Sequence, residues 1–322
     1  AADETALVSE IKRTIDFIDR VADVSLLDLA YTSSLTSGEC VLSLVVDSVA
    51  DLRARLASAA SRLASGSLKR IRDKSGTYYF REPLLGEGKG KLAFLYPGVM
   101  SFYPDMMRDL AIAFPSCRAV FDELEEAFSD NEEFTPSSFI FPPAPYYRRD
   151  ADIFSSGAYA QALVATNAAS RALTRLLSTG GVKPDGVVGF AGGELSAILR
   201  AGAVAAELLR PQRVNLIREL YRLVDRAVNH GGLPKYSLVT VLLHRPDELD
   251  EIIASFPSGK VTLVVDFSPR QKTYAIEPDF EESALKAFAE KQVRTMKLAL
   301  DRPFNSAVAE SLVPLVRKFV QG

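Results

Sequence analysis

The stretch Asp185-Gly-Val-Val-Gly-Phe-Ala-Gly-Gly-Glu-Leu-Ser-Ala197 decides how the rest of this chain is read. Its first five residues, a short run with the β-branched Val187 and Val188 at its centre, predict a buried strand. A glycine turn follows, and a helix is predicted from Glu194 to Ala201. A strand that enters a helix through such a turn has the frame G-x-S-x-G, in which a serine occupies a strained position and its small neighbours leave the hydroxyl exposed at the helix N-terminus. Here the frame reads Gly189-Phe190-Ala191-Gly192-Gly193. The turn is kept, but the nucleophile position is Ala191, and alanine has no group that can attack a thioester.

Upstream of this turn, Gly180, Gly181 and Pro184 close a long helix predicted over 153 to 178. Acidic residues and then Pro136, Pro142, Pro143 and Pro145 predict a surface loop over 129 to 152. Helices are expected at 104 to 113 and 115 to 128, after a buried strand, Lys91 to Tyr96, that ends at Pro97-Gly98. Repeated strand, turn and helix imply a parallel sheet. The N-terminal region reads as a small α/β unit, with helices over 3 to 20 and from Leu26, a strand over Cys40 to Val46 and a helix over 49 to 64. Residues 65 to 91, rich in Gly, Ser, Lys and Arg around Tyr78-Tyr79-Phe80, read as a linker with a domain boundary near 88. Downstream, strands at 236 to 243, 261 to 266, 271 to 276 and 293 to 299, with helices at 247 to 255 and 281 to 290, give the order β-α-β-β-α-β of a ferredoxin-like insert.

The 322 residues are enough for two or three domains. With 38 Lys+Arg against 41 Asp+Glu, no charge excess favours nucleic acid or an anionic membrane as partner. Cys40 and Cys117 lie far apart without metal-ligand companions, so neither a disulfide framework nor a metal site is expected. No basic leader and no run of about 18 apolar residues is present, and a cytoplasmic location is expected. The two histidines, His230 and His244, sit at a helix end and just after a strand. Ser101, Ser196 and Ser306 have simpler readings as loop, helix or cap residues than as nucleophiles. A phosphate cradle at Gly189 to Gly193 lacks a following lysine and places Glu194 in the first turn of the helix.

At these residues the chain resembles the malonyl-CoA and acyl-CoA:carrier-protein transferase domains of polyketide and polyunsaturated fatty acid synthases. The resemblance extends over nearly the whole sequence. The family's F-P-G-Q-G-S-Q loop corresponds to Tyr96-Pro97-Gly98-Val99-Met100-Ser101-Phe102, its G-H-S-x-G-E elbow to 189 to 194, and its later histidine, in F-H-S, to Phe304-Asn305-Ser306. It implies an α/β acyltransferase-like fold: a linker domain over 1–88, a parallel-sheet, α/β-hydrolase-like large subdomain over 89–233 and 299–322, and a ferredoxin-like small subdomain over 234–298. It also implies a ketosynthase before Ala1 in the same polypeptide, an acyl carrier protein as partner, no cofactor, and a domain that continues past residue 322.

Four places depart together: the serine is Ala191, its neighbouring histidine is Phe190, the general base is Asn305 and the loop glutamine is Val99. Loss of a positioned base alone costs about 10² to 10⁴ in rate, so the expectation is a pseudoenzyme with a structural role. The family's oxyanion hole would persist only as backbone amides around Gly189, Gly192, Gly193 and Val99. Arg218, or secondarily Arg213, corresponds to the family's carboxylate-reading arginine; its plainer reading is a solvated charge on an amphipathic helix. Phe190 is expected to fill the space beside Ala191 and give a packed pocket. Two alternatives stay open: a module that binds acyl-CoA or acyl carrier protein without transfer, and a transferase with an unrecognised nucleophile.

Overall fold

The computed structural model describes residues 1–36, 38–85, 89–130, 134–143, 158–202, 210–230, 232–242 and 247–321. It divides into two compact units, Ala1–Lys91 and Leu92–Gly322. In the first, α1 (Glu4–Arg20) starts at Asp3, whose carboxylate accepts from the Ala6 N–H, and buries Leu7 and Ile11. Then come α2 (Leu26–Ser34), capped by Ser25, β1 (Leu42–Leu44) and α3 (Val49–Leu63), capped by Ser48. Each cap satisfies a helix N–H that would otherwise lack a partner.

The linker reading of 65 to 80 is corrected by a hairpin, β2 (Arg70–Arg72) and β3 (Thr77–Phe80), which completes an antiparallel sheet in the order β1-β3-β2. Ile71 pairs with Tyr79 and both are buried, whereas Arg70 and Arg72 face outward. Strand alternation thus lets a charged stretch contribute one core residue in every two. The Asp73 carboxylate accepts from the Ser75 and Thr77 N–H groups, and Gly76 takes φ +95° to close the turn.

In the second unit β4 (Ala93–Tyr96) runs parallel to β5 (Gly186–Gly189), with Leu95 opposite Val188. Between them lie α4 (Arg108–Ala113), α5 (Pro115–Ala127), α6 (Pro136–Ile140) and α7 (Tyr159–Thr179); α8 (Gly193–Arg200) and α9 (Arg210–Asn229) follow. The helix expected from 104 begins only at 108, because Asp105 and Met107 take left-handed φ of 65° and 69°. The expected loop at 129 to 152 contains α6: Pro136 opens it, where a missing N–H costs nothing, and Ile140 is buried. The start of the helix expected from 153 and part of that loop lie outside the described residues. The core packs α5, α7 and α9 together, with Phe128, Phe134 and Tyr221 in mutual ring contact.

The remainder has β6 (Ser237–Leu242), α10 (Asp247–Ala254), β7 (Val261–Ser268), β8 (Gln271–Ile276), α11 (Glu281–Glu290) and β9 (Arg294–Lys297). Their chain order is the expected β-α-β-β-α-β, and the antiparallel sheet has the order β7-β8-β6-β9. Helix α12 (Val313–Gln321) comes last.

Candidate active site

The turn between β5 and α8 is a strained elbow. Ala191 has φ +49°, a left-handed conformation that costs a residue with a Cβ about 1–2 kcal/mol. Hydrogen bonds hold it there: the Phe190 N–H donates to the Tyr96 carbonyl at 3.0 Å, that of Gly193 to Phe190 at 2.9 Å, and that of Glu194 to Ala191 at 3.0 Å. The glycines are needed for space. A Cβ on Gly189 would lie 2.4 Å from the Glu194 Cα, and one on Gly193 would lie 2.2 Å from the Tyr96 carbonyl oxygen.

Val99 is buried in a short 3₁₀ turn directly after Gly98, which abuts the Phe190–Ala191 backbone. Among the described residues no backbone carbonyl accepts from the N–H of Val99 or of Gly192. Two backbone N–H groups near the elbow are thus without a backbone acceptor, beside a side chain that forms no covalent intermediate.

The Phe190 ring and Ala191 approach each other at Gly98, where an added Cβ would lie 3.5 Å from the Phe190 Cδ1 and 3.4 Å from the Ala191 Cβ. Phe190 is 41% exposed, and its ring packs on Phe267 of β7, centroids 5.2 Å apart at 36°. The turn directs it outward, where its available neighbour is the four-stranded sheet. A cavity of about 260 Å³ instead lies along the inner face of α8, reaching Leu195, Ser196 and Leu199.

Asn305 is exposed and lines a different cavity, beside Phe304, Leu312 and Arg317. Phe304 stacks on Tyr159 at 4.8 Å, and Arg302 anchors this segment by donating to the Val228 carbonyl at 3.0 Å. Arg218 is turned away from the α8 cavity: its Nε donates to the Ala127 carbonyl at 2.9 Å and its terminal nitrogen meets Asp130 at 3.2 Å. The expected carboxylate-binding position is thus occupied in closing the C-terminal end of α5, whose carbonyls lack intrahelical partners.

Arg213, the second candidate, does line the α8 cavity, and it bonds Glu123 through two nitrogens at 2.9 and 3.1 Å. Glu123 is buried on α5 and also takes Arg171 of α7 at 2.8 Å. Burial lowers the Arg171 pKa against the opposing pull of Glu123, while the hydrogen bond to Glu123 raises that of Arg213. Sequence reasoning missed this cluster. Its signal was a charged residue, Glu123, flanked by Phe121 and Leu124 on the apolar face of a helix.

Among the described residues the alternative nucleophiles have no base beside them. The Ser196 hydroxyl donates to the Asn167 side-chain oxygen at 2.6 Å, that of Ser306 donates to the Pro303 carbonyl at 2.8 Å, and Ser101 is exposed. His230 pairs with Asp225 at 3.2 Å on the surface; His244 lies outside the described residues. Among the described residues no three metal-ligating side chains cluster, and no helix is long and apolar enough to cross a membrane.

No protein-family model matches the chain. It is 27% identical over 231 residues to a phenolphthiocerol/phthiocerol polyketide synthase of Mycobacterium tuberculosis; the match covers 71% of this chain and 11% of that protein. Among solved structures, the acyltransferase domain from the second module of the salinomycin polyketide synthase superposes with TM-score 0.63 and 26% identity, over 99% of this chain and 68% of that one. A malonyl-transacylase in complex with its type II polyketide synthase acyl-carrier protein gives 0.58 and 22%, over 72% of this chain and 70% of that one. The chain thus has the acyltransferase α/β fold and is similar to the acyltransferase domains of polyketide synthases.

Proposed function

We propose that the chain is a catalytically inactive pseudo-acyltransferase unit of a polyketide synthase. In this reading it has a scaffolding role beside a ketosynthase that precedes it in the same polypeptide and the acyl carrier protein. The observation that carries the reading is Ala191 at φ +49°: the strained elbow position is held by a side chain without a nucleophile. Asn305 exposed on a separate cavity, Val99 at the loop position and hydroxyls without bases add to it. In this proposal 1–88 is the linker domain, 89–233 with 299–322 the large subdomain and 234–298 the ferredoxin-like small subdomain. The division of the chain at Lys91/Leu92 and the strand order β7-β8-β6-β9 support that assignment.

The test is intact-protein mass spectrometry after incubation with malonyl-, methylmalonyl- and acetyl-CoA, with and without a holo carrier protein, beside an active transferase. The expected result is no adduct on the chain and no carrier acylation above background. Acylation of either protein that depends on this chain would overturn the proposal and turn attention to a nucleophile elsewhere.

A further inference from the structure

The α8 cavity has the make-up of a ligand site. It is lined by β4, α5, α7, α8 and α9, and most of its wall is apolar, from Leu124, Val164, Leu195, Leu199, Ile217 and Leu220. Its neutral polar groups are already paired: Ser196 with Asn167 at 2.6 Å, and Tyr96 with Thr174 at 3.0 Å. Among the described residues the charged groups that line it are all cationic, namely Arg171, Arg200 and Arg213. Arg171 and Arg213 share the Glu123 carboxylate. Arg200, in the last turn of α8, has its Nε buried without a hydrogen-bond partner.

A buried guanidinium nitrogen without an acceptor is costly, because the solvation it lost is not replaced. An empty apolar void offers this guanidinium no anion; a carboxylate in the cavity, which Arg200 lines, would give it one. Arginine also matches a carboxylate geometrically, through its planar fork of donors. The volume, about 260 Å³, falls just below the range of about 300–1,000 Å³ usual for drug-sized ligands. It suits a medium-length acyl chain and is too small for a coenzyme A thioester.

We propose that this cavity binds a medium-chain monocarboxylate, its carboxylate on Arg200 and its chain against Leu195, Leu199 and Leu220. The site lies on the inner face of α8, away from the exposed Phe190 side chain and from Asn305. It requires no chemistry at Ala191 and does not rest on the pseudo-acyltransferase reading.

Isothermal titration of the whole chain with octanoate, and with octanol as the uncharged probe of similar length, tests it. Octanoate is expected to bind saturably at one site and at least about tenfold more tightly than octanol. Arg200→Gln is expected to weaken octanoate on the order of tenfold and to leave octanol unchanged, a split that a general loss of structure would not give. Leu195→Trp, which fills the cavity, is expected to abolish both, with circular dichroism confirming the fold. Absence of saturable octanoate binding, equal affinity for the two probes, or an unaltered affinity in Arg200→Gln overturns the proposal. The acylation assay reports separately on the elbow.

Discussion

Replacing Gly193 by alanine tests how the elbow is held against the end of β4. The added methyl would lie 2.2 Å from the Tyr96 carbonyl oxygen and 2.6 Å from that of Pro97, about 1 Å inside ordinary contact. Neither obstacle is a movable side chain. Tyr96 is fixed by its pairing with Gly189, and its carbonyl accepts from Phe190, so the start of α8 has to shift. Overpacking of this kind costs about 1–3 kcal/mol, and disturbing the Phe190–Tyr96 hydrogen bond about 1 kcal/mol. Alanine's helix preference over glycine returns about 1 kcal/mol, leaving a net loss of about 2 kcal/mol.

Ala191→Gly makes the reverse chemical change two residues away. It relieves about 1–2 kcal/mol of left-handed strain against about 0.4–1 kcal/mol for the freer unfolded chain. The outcome is neutral to about 1.6 kcal/mol stabilising, whereas the same change inside a helix loses about 1 kcal/mol. Because the chain contains no tryptophan, urea unfolding is followed by circular dichroism, and native-state hydrogen exchange of the α8 amides isolates the local effect. A Gly193→Ala protein as stable as the parent, or an Ala191→Gly protein about 1 kcal/mol weaker, would refute the reasoning.

Glu123→Ala is expected to lose about 1–3 kcal/mol in urea unfolding, since it removes the buried carboxylate that Arg171 and Arg213 share; Glu123→Gln, which keeps an acceptor, should lose less. Burial pushes the phenols of Tyr79, Tyr159 and Tyr274 up to about 12 from 10.0. A raised folded pKa means that their contribution to stability is complete below about pH 10 and is lost as pH rises towards 12. An alkaline titration of tyrosinate absorbance should therefore show a late set of tyrosines titrating together with loss of the circular-dichroism signal. Titration of every tyrosine near pH 10 in the folded protein would contradict this.

Part of the elbow was legible because its constraints are local. Gly189 is set by Glu194 five residues on, and the strand and helix around it follow from periodicity, whereas the space at Gly192 and Gly193 is limited by Leu163 and Tyr96, distant in the chain. The hairpin of β2 and β3 was missed because the charged side chains of Arg70 and Arg72 mask Ile71 between them, so the segment reads as polar until its pairing with β3 is known. Helix α6 was missed because proline was read as a breaker, although at the first turn it starts a helix. The contact of the Phe190 ring with Phe267, 77 residues away, was missed for a similar reason: no local rule contains it.

The sequence alone determined the β-α-β-β-α-β order over 236–299, the glycine turn and the absence of a nucleophile at residue 191, since these depend on residue type and short-range spacing. Tertiary structure decided the rest. It brought Glu123, Arg171 and Arg213 from three helices into one buried cluster, turned Arg218 towards the end of α5, and left Arg200 facing a cavity. Whether a charged side chain is solvated, paired or buried without an acceptor depends on what the packed neighbours offer it, and those neighbours are distant in the chain.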